Sequence, residues 1–527
     1  MATKDESNHK KVIGRRNMLK TLAGIPVLGV FGLEVLRKLN YDKKHNARKE
    51  IVKELGLEDL LSSVKQVTSS TGDVIRLGIA GFGMRGPQLA QALGFMDKQR
   101  FDSEVKNGSL EAQIEHGNFN VAITGICDVF DLHAENGMAV AKHDIFSGGE
   151  IARKHPVKRY RHYHDMISDP DIDAVIIATP DHHHAPMAID AVNAGKHVYL
   201  EKAPIHREEE IEPLYQAVKN SGLVFQMGHQ IPQNAVFQQA REIINRGLLG
   251  RISHAETSSN RNNPNGAWIR HLDSDGNRKP GDERTIDWKQ WLGNAPEAPF
   301  SIERFYGWAR FFDYETGLYG QLFSHEYDAV NQLLNLGIPD LVSATGGQYY
   351  YKDFGEMPDV LHTSFEYADK GMTLTYSANL TSSKTRPRTF YGRDASLTVG
   401  GHLTMTPDGS SERYAGLIEE GLVDPTRPML EILKGSTLSD AVDAVSTASA
   451  KYYASRGLTT TTIDGREWDV THLHLKEWLD CIREGGQPSA NIEKAYEEAV
   501  TLAMADISYR ENCRTKWDPV NKKILRY

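Results

Sequence analysis

Ile75-Arg76-Leu77-Gly78-Ile79-Ala80 runs straight into Gly81-Phe82-Gly83-Met84-Arg85-Gly86, and a helical pattern follows. Gly-x-Gly-x-x-Gly alone is a weak signal. After a strand and at the start of a helix, it stands in the context that a dinucleotide-binding turn requires. Gly81 permits the tight turn, and Gly83 lets backbone N–H groups approach a pyrophosphate. Gly86 lets the helix pack on the strand, with its positive end beneath the phosphates. Met84 and Arg85 join the three glycines as candidate cofactor contacts. The second strand ends at Ile126-Cys127-Asp128. A carboxylate there accepts hydrogen bonds from a ribose diol and repels a 2′-phosphate. Val129-Phe130-Asp131-Leu132-His133 offers no Arg or Lys to hold such a phosphate, so NAD is favoured over NADP. Asp128 comes about 40 residues after Gly86, against the usual ~20, and an insertion over about 95–118 accounts for the excess.

Around this turn the chain alternates strand and helix. Apolar runs at 75–80, 120–127, 174–179, 197–200 and 223–227 predict strands, with helices between them, as at 185–194 and 207–220. That alternation predicts an α/β fold with a doubly wound parallel sheet over 74–227. After Gln230 the texture changes. Polar loops over 258–288 lead into Trp-rich segments, and alternating runs follow at 342–351, 359–367 and 371–380. Alternation of this kind predicts a mostly antiparallel, half-exposed sheet. Residues 471–512 return to helix. A second α/β domain is therefore expected over 228–527, with its last helical segment packing back on the first.

The 527 residues, 40% hydrophobic and 25% charged, describe a globular chain and exclude a disordered or collagen-like one. Sixty-one Lys+Arg against seventy Asp+Glu give a net charge of −9. That balance leaves no electrostatic footprint for nucleic acid or an anionic membrane. The three cysteines, Cys127, Cys481 and Cys513, have no Cys-x-x-Cys spacing and no clustered partners for structural zinc. Their odd number and long spacing weigh against a Cys481–Cys513 disulfide. His182, His183 and His184 are adjacent on a loop and do not converge on one ion, so no metal site is expected.

Residues 1–37 read as an address. Gly14-Arg15-Arg16-Asn17-Met18-Leu19-Lys20 follows a start that includes Lys10 and Lys11, and an uncharged stretch runs from Thr21 to Leu33. Those 13 residues are too short for a spanning helix, which needs about 20. A basic region before a short apolar one is a signal sequence, and Arg15-Arg16 with Met18-Leu19-Lys20 resembles the twin-arginine signal. It implies a periplasmic protein, exported already folded by the twin-arginine machinery, with a tightly held cofactor captured beforehand. No Ala-x-Ala site follows, so the segment is cut elsewhere or stays as a tether; no stable membrane domain is expected. Residues 38–73 read as a linker and a short helix that carries Ile51, Val52, Leu55, Leu60, Leu61 and Val64.

Further motifs carry a family resemblance. Asp173-Ala174-Val175-Ile176-Ile177-Ala178-Thr179-Pro180, then His184, then Gly195-Lys196-His197-Val198-Tyr199-Leu200-Glu201-Lys202 appear in order. Ser324-His325-Glu326-Tyr327-Asp328 and the tail Cys481-Ile482-Arg483 through Lys516-Trp517-Asp518-Pro519 complete the set. Over about residues 74–525 this combination resembles the Gfo/Idh/MocA oxidoreductases. The resemblance implies a Rossmann domain, then an α/β domain whose open sheet often forms homo-oligomers. It implies that Thr179, Pro180, His184, Glu201 and Lys202 line the cofactor pocket, with Lys202 near the reactive end of the nicotinamide and His325 as acid/base. A Lys ammonium holds a developing alkoxide, and a histidine with a pKa of about 6.5 takes a hydroxyl proton at neutral pH.

Two positions depart from that family's pattern. Gln321, four residues before His325, stands where the family usually has aspartate, and Ala203 separates Lys202 from Pro204. In a helix over 318–335, Gln321, His325 and Asp328 share one face. Trp308, Arg310, Gln321 and His325 are the candidate substrate contacts; Tyr306 and Asp313 adjoin them, and Trp268, Arg270 and His271 have similar chemistry. The leading expectation is an exported NAD-dependent oxidoreductase acting on a sugar, polyol or glycoside by hydride transfer. The alternative is a redox-neutral, NAD-dependent glycoside hydrolase or lyase that uses transient oxidation and elimination. A second alternative is a catalytically idle nucleotide- or sugar-binding protein.

Overall fold

The computed structural model describes residues 72–527 apart from 109, 148–149, 263–276, 353–354, 433–457 and 464, together with 53 and 55–57. The signal segment, most of the expected short helix, and Trp268, Arg270 and His271 lie outside the described residues.

Strand β1 (Ile75–Ala80) is buried at every position but its first polar one, Arg76. A strand with helices on both faces must be apolar in this way. It lies at the centre of a sheet with β2 (Val121–Cys127), β3 (Lys158–Tyr160), β4 (Ala174–Ile177), β5 (His197–Leu200) and β6 (Phe225–Met227). All pairs are parallel and the order is β3-β2-β1-β4-β5-β6, the doubly wound order with its crevice at the carboxyl ends of the strands. Strand β3 is not visible as an apolar run, because two of its three residues are Lys158 and Arg159. Helix α1 (Gly86–Ala92) opens from the glycine turn, and α2 (His184–Asn193) follows β4. Two helices, Lys98–Asn107 and Leu110–Glu115, occupy the expected insertion.

A second sheet holds ten strands. In chain order these are β7 (Ile252–Asn260), β8 (Leu341–Gly347), β9 (Val360–Tyr367), β10 (Met372–Asn379), β11 (Arg388–Gly392), β12 (Ala395–Val399), β13 (Leu403–Pro407) and β14 (Leu430–Ile432). After a separate hairpin of β15 (Thr460–Ile463) and β16 (Arg466–Asp469), β17 (Arg514–Asp518) and β18 (Lys523–Arg526) complete it. Their order is β14-β13-β12-β11-β7-β10-β9-β8-β17-β18, and β7 with β10 is the parallel pair in an otherwise antiparallel array. Strand β9 alternates buried and exposed residues, as one buried face requires.

Helices α3 (Ala235–Asn245), α4 (Ser324–Leu334) and α6 (Ile492–Arg510) contribute to the core shared with that sheet. Helix α5 (Val470–Glu484) packs back on the first domain, where Leu475, Trp478 and Leu479 join the apolar cluster of Leu77, Ile79 and Ile123. Glu326 of α4 and Arg388 of β11 form a buried ion pair at 2.7 Å. Two paired charges in a dry core tolerate each other and tolerate solitude poorly. Replacing Arg388 with Ala leaves the Glu326 carboxylate unbalanced and should cost about 3–5 kcal/mol of stability, read as a lower guanidinium midpoint. An unchanged midpoint would mean that this pair does not hold α4 to the sheet.

Candidate active site

The carboxyl ends of β1, β2, β4 and β5 open into a cavity of about 1210 Å³ that extends to α4 and to the loops before it. Gly81 takes φ +87°, and a Cβ there would lie 2.6 Å from the Ala178 carbonyl oxygen. At Gly86 a Cβ would lie 2.5 Å from the Gly81 carbonyl oxygen. Gly86 therefore lets the helix close on the turn itself rather than on the strand behind it. Gly83 lines the cavity, and a Cβ there would meet no protein atom nearer than 3.5 Å. Its bare backbone keeps that side open for a pyrophosphate, so the turn fits the group that its sequence implies.

Asp128 lines the cavity just beyond β2, where a ribose contact is expected. Its Oδ2 accepts the Phe82 N–H at 2.6 Å and its Oδ1 the Phe130 N–H at 2.8 Å, which fixes the carboxylate at the cavity wall with further lone pairs for a diol. Met84, Thr179 and Pro180 also line the cavity. Arg85 reaches it too, but its guanidinium is committed: Nε donates to Glu201 Oε1 at 2.7 Å, and both residues are largely buried. That pair ties the glycine turn to the end of β5, beside Lys202.

Lys202 enters the cavity where the two domains meet. Its ammonium lies 3.4 Å from the Gln321 carbonyl oxygen and 3.5 Å from Gln321 Oε1 and the Gly320 carbonyl oxygen. The Lys202–Ala203 peptide is cis. Residues Tyr319–Phe323 form a π-helical turn ahead of α4, so the uniform helix expected over 318–335 is widened at Gln321. Gln321 and His325 still both face the cavity. Burial, followed by the charges of His229, Lys202, Arg85 and Arg388, holds the His325 pKa well below its ordinary value.

Two expected contacts are displaced. His184 does not line the cavity: it lies buried beneath it, with Nδ1 2.6 Å from the Ala203 carbonyl oxygen and Nε2 2.9 Å from that of Thr179. Burial pushes its pKa down to about 4, so it is a neutral brace under the two loops. His182 and His183 line the cavity in its place, each within 2.9 Å of the Trp291 carbonyl oxygen. Arg310 is also buried outside the lining, where its carbonyl oxygen accepts the Glu356 N–H at 3.0 Å, whereas Trp308 and Tyr306 do face the cavity. Asp313 pairs with Arg304 at 3.0 Å. Among the described residues, no three His, Cys, Asp or Glu side chains are grouped to hold a metal ion.

Sequence reasoning missed His229 and Glu498, which stand behind His325, and it missed a strap. The segment after β7 returns across the cofactor domain. The Asp131 N–H donates to the Thr285 carbonyl and the Asp287 N–H to that of Val129, both at 2.9 Å. Phe130, Ile286, Trp291, Ile302, Phe305 and Tyr314 form one apolar cluster under it. Lys279, Pro280 and Tyr306 thereby wall the cavity beside Asp128.

Residues 75–229 match the Gfo/Idh/MocA family, an oxidoreductase family with an NAD-binding Rossmann fold. The matched stretch is the first domain, whose parallel sheet and glycine turn are those of an NAD-binding Rossmann domain. The levoglucosan dehydrogenase of Pseudarthrobacter phenanthrenivorans is 39% identical over 90 residues, 17% of this chain and 23% of that protein. The 2,7-anhydro-N-acetylneuraminate hydratase of Escherichia coli is 24% identical over 237 residues, 44% of this chain and 53% of that one. A glycosyl hydrolase family 109 protein of a Shewanella species is 24% identical over 192 residues, 35% of each. The chain thus spans between about a quarter and about half the length of these curated relatives. Among solved structures, levoglucosan dehydrogenase in complex with NADH and levoglucosan shares the fold with a TM-score of 0.51, covering 86% of this chain and 99% of that one at 18% identity.

The Asp128 carboxylate makes a direct prediction. Asp128→Asn keeps an acceptor for the Phe82 N–H but removes the charge that faces a 2′-phosphate. Its preference for NADH over NADPH, measured by calorimetric titration, should fall by about tenfold or more, the equivalent of about 1.4 kcal/mol. An unchanged ratio would place the discrimination elsewhere.

Proposed function

We propose that the protein is an exported oxidoreductase that passes a hydride between NAD and a carbinol carbon of a sugar, polyol or glycoside, and that it keeps its cofactor bound through the cycle. The observation that carries this reading is the meeting of Lys202 and His325 in one cavity, at the edge of the NAD-binding sheet. Bound NAD supplies the hydride acceptor. The Lys202 ammonium, which reaches oxygens of Gly320 and Gln321 at the cavity wall, stabilises the alkoxide as the carbon–hydrogen bond breaks. His325, kept neutral by burial and neighbouring cations, takes the hydroxyl proton. Trp308 offers a flat ring against a sugar face.

Three features support retention and export. The strap over 277–314 walls the adenosine side beside Asp128. Arg15-Arg16 with Met18-Leu19-Lys20 is a twin-arginine pattern, a route taken by folded proteins. Outside the cytoplasm free NAD is scarce, so a cofactor regenerated within each cycle suits that compartment. No helix of the described residues is long and apolar enough to cross a membrane. Association into a homo-oligomer through the ten-stranded sheet belongs to the same proposal.

One observation favours a second reading. Gln321 replaces a carboxylate with a neutral amide beside Lys202, and relatives of this chain include a hydratase and a glycosyl hydrolase family 109 protein. A redox-neutral cycle would oxidise the sugar transiently, eliminate the glycosidic substituent, and return the hydride.

The test mixes natively exported protein with sugars and glycosides, without added nucleotide, and follows absorbance at the nicotinamide band. The expected result is reduction of bound cofactor up to one equivalent per chain. Lys202→Met should lower that rate by about 10²–10³-fold while NADH still binds. Repeated glycoside cleavage with no net reduction, and with solvent deuterium entering the sugar, would select the second reading. Nucleotide and sugar binding with neither reaction would leave a binding protein.

A further inference from the structure

His325 does not stand alone. Its Nδ1 lies 3.3 Å from Nδ1 of His229, and Nε2 of His229 lies 2.7 Å from Oε2 of Glu498. All three residues are buried. His229 follows β6, Glu498 lies on α6 and His325 on α4, so three separate elements bring the two rings and the carboxylate into one row, the His229–Glu498 contact being an ion-pair approach that a small turn of the ring makes a hydrogen bond. We propose that His229 and Glu498 form a proton relay behind His325, which accepts the substrate's hydroxyl proton at Nε2 and passes the resulting charge to His229.

The atoms balance as follows. In the reactive form, present above the raised pKa of His229, that ring is neutral and donates Nε2–H to the Glu498 carboxylate, while its Nδ1 accepts the Nδ1–H of His325. That tautomer leaves Nε2 of His325 as the base. The substrate O–H bond breaks, the proton bonds to Nε2, and the Nδ1 proton of His325 crosses to Nδ1 of His229. His325 ends neutral with its proton on Nε2, and His229 ends as a cation against Glu498. The hydride goes to bound NAD, so no other acceptor is needed.

The surroundings explain why the charge would move. Lys202, Arg85 and Arg388 all oppose a cation on His325. Burial also opposes a cation on His229, but Glu498 and Asp328 overcome that cost against the minor opposition of Lys202, and its pKa is raised. His474, on α5, bonds to the Met227 carbonyl oxygen at 2.8 Å, and its pKa is pushed down to about 3, mainly by burial. It therefore adds no charge near neutral pH. Gln321 cannot supply the carboxylate that a protonated His325 needs; Glu498 supplies it one ring further back.

This inference rests on the proposed hydride transfer, and the test separates the two. Nitrogen-15 labelling of the histidines in the full NADH-loaded protein reads ring protonation without turnover, with His229→Gln and His325→Gln used to assign signals. As pH falls, His229 should gain a proton, and in the same transition the proton of His325 should move from Nδ1 to Nε2. Removing the Glu498 charge with Glu498→Gln should shift that transition down by about 1–3 pH units. Two independently titrating rings, or a His325 tautomer that never changes, would overturn the relay.

The second arm uses any sugar that reduces the bound cofactor. Oxidation needs neutral His229, so the rate falls on the acid side. In Glu498→Gln the acid limb should move to lower pH while the plateau kcat drops about 10²-fold, with KM and NADH affinity little changed. An unchanged plateau would overturn the relay. If no sugar reduces the cofactor although the coupled tautomer change is present, the proposed reaction fails and the relay survives as a property of the chain.

Discussion

The buried pair of Arg85 and Glu201, 2.7 Å apart, holds the working parts of the site together. Arg85 sits in the turn after β1 and Glu201 just beyond β5, so the pair clamps the phosphate turn to the strand end that presents Lys202. Gly228 makes room for it, because a Cβ there would lie 2.9 Å from the Glu201 carboxyl group. Taking both ions out of water costs several kcal/mol each. The pairing offsets that cost only while both loops keep their positions, which makes the pair a geometric constraint more than a source of stability.

The same constraint recurs along the seam between the domains. Arg388 with Glu326 fixes α4 to the second sheet, and His229 with Glu498 joins the end of β6 to α6. Each pair neutralises a charge that the dry interior would otherwise expel. Together they surround His325 with cations whose carboxylates point elsewhere. His325 is thereby kept neutral, with the His229 ring directly behind it. Lys202 turns its ammonium toward oxygens of Gly320 and Gln321, across the cavity from the strand end that carries it.

Much of the fold was legible because its signals are local. The glycine turn is twelve residues of strand, turn and helix start read as one stretch, and five strands of the first sheet and three of the second announce themselves by apolar runs or by alternation, whereas the other seven strands of the ten-stranded sheet were not singled out. Strand β3 was not legible, since its two basic residues carry no such period. The site was legible in part. Lys202, Gln321 and His325 face one cavity as expected, but His184, turned toward the carbonyls of Ala203 and Thr179, and Arg310, buried outside the lining, do not. His229 and Glu498 gave no sequence signal, as a histidine and a glutamate on separate elements become partners only through tertiary contact. Arg85 and Glu201, 116 positions apart, show the same limit.

The strap gives the site its remaining character. It leaves the second domain, hydrogen-bonds to Val129 and Asp131 beyond β2, and buries Phe130 under Ile286 and Phe305. A dinucleotide held between this strap and the glycine turn would be walled in beside Asp128, in keeping with the retention proposed above. The most direct measurement is to denature the purified protein and to identify and count the released nucleotide by mass. About one NAD or NADH per chain is expected. An empty site that binds NAD weakly and releases it on dilution would contradict retention.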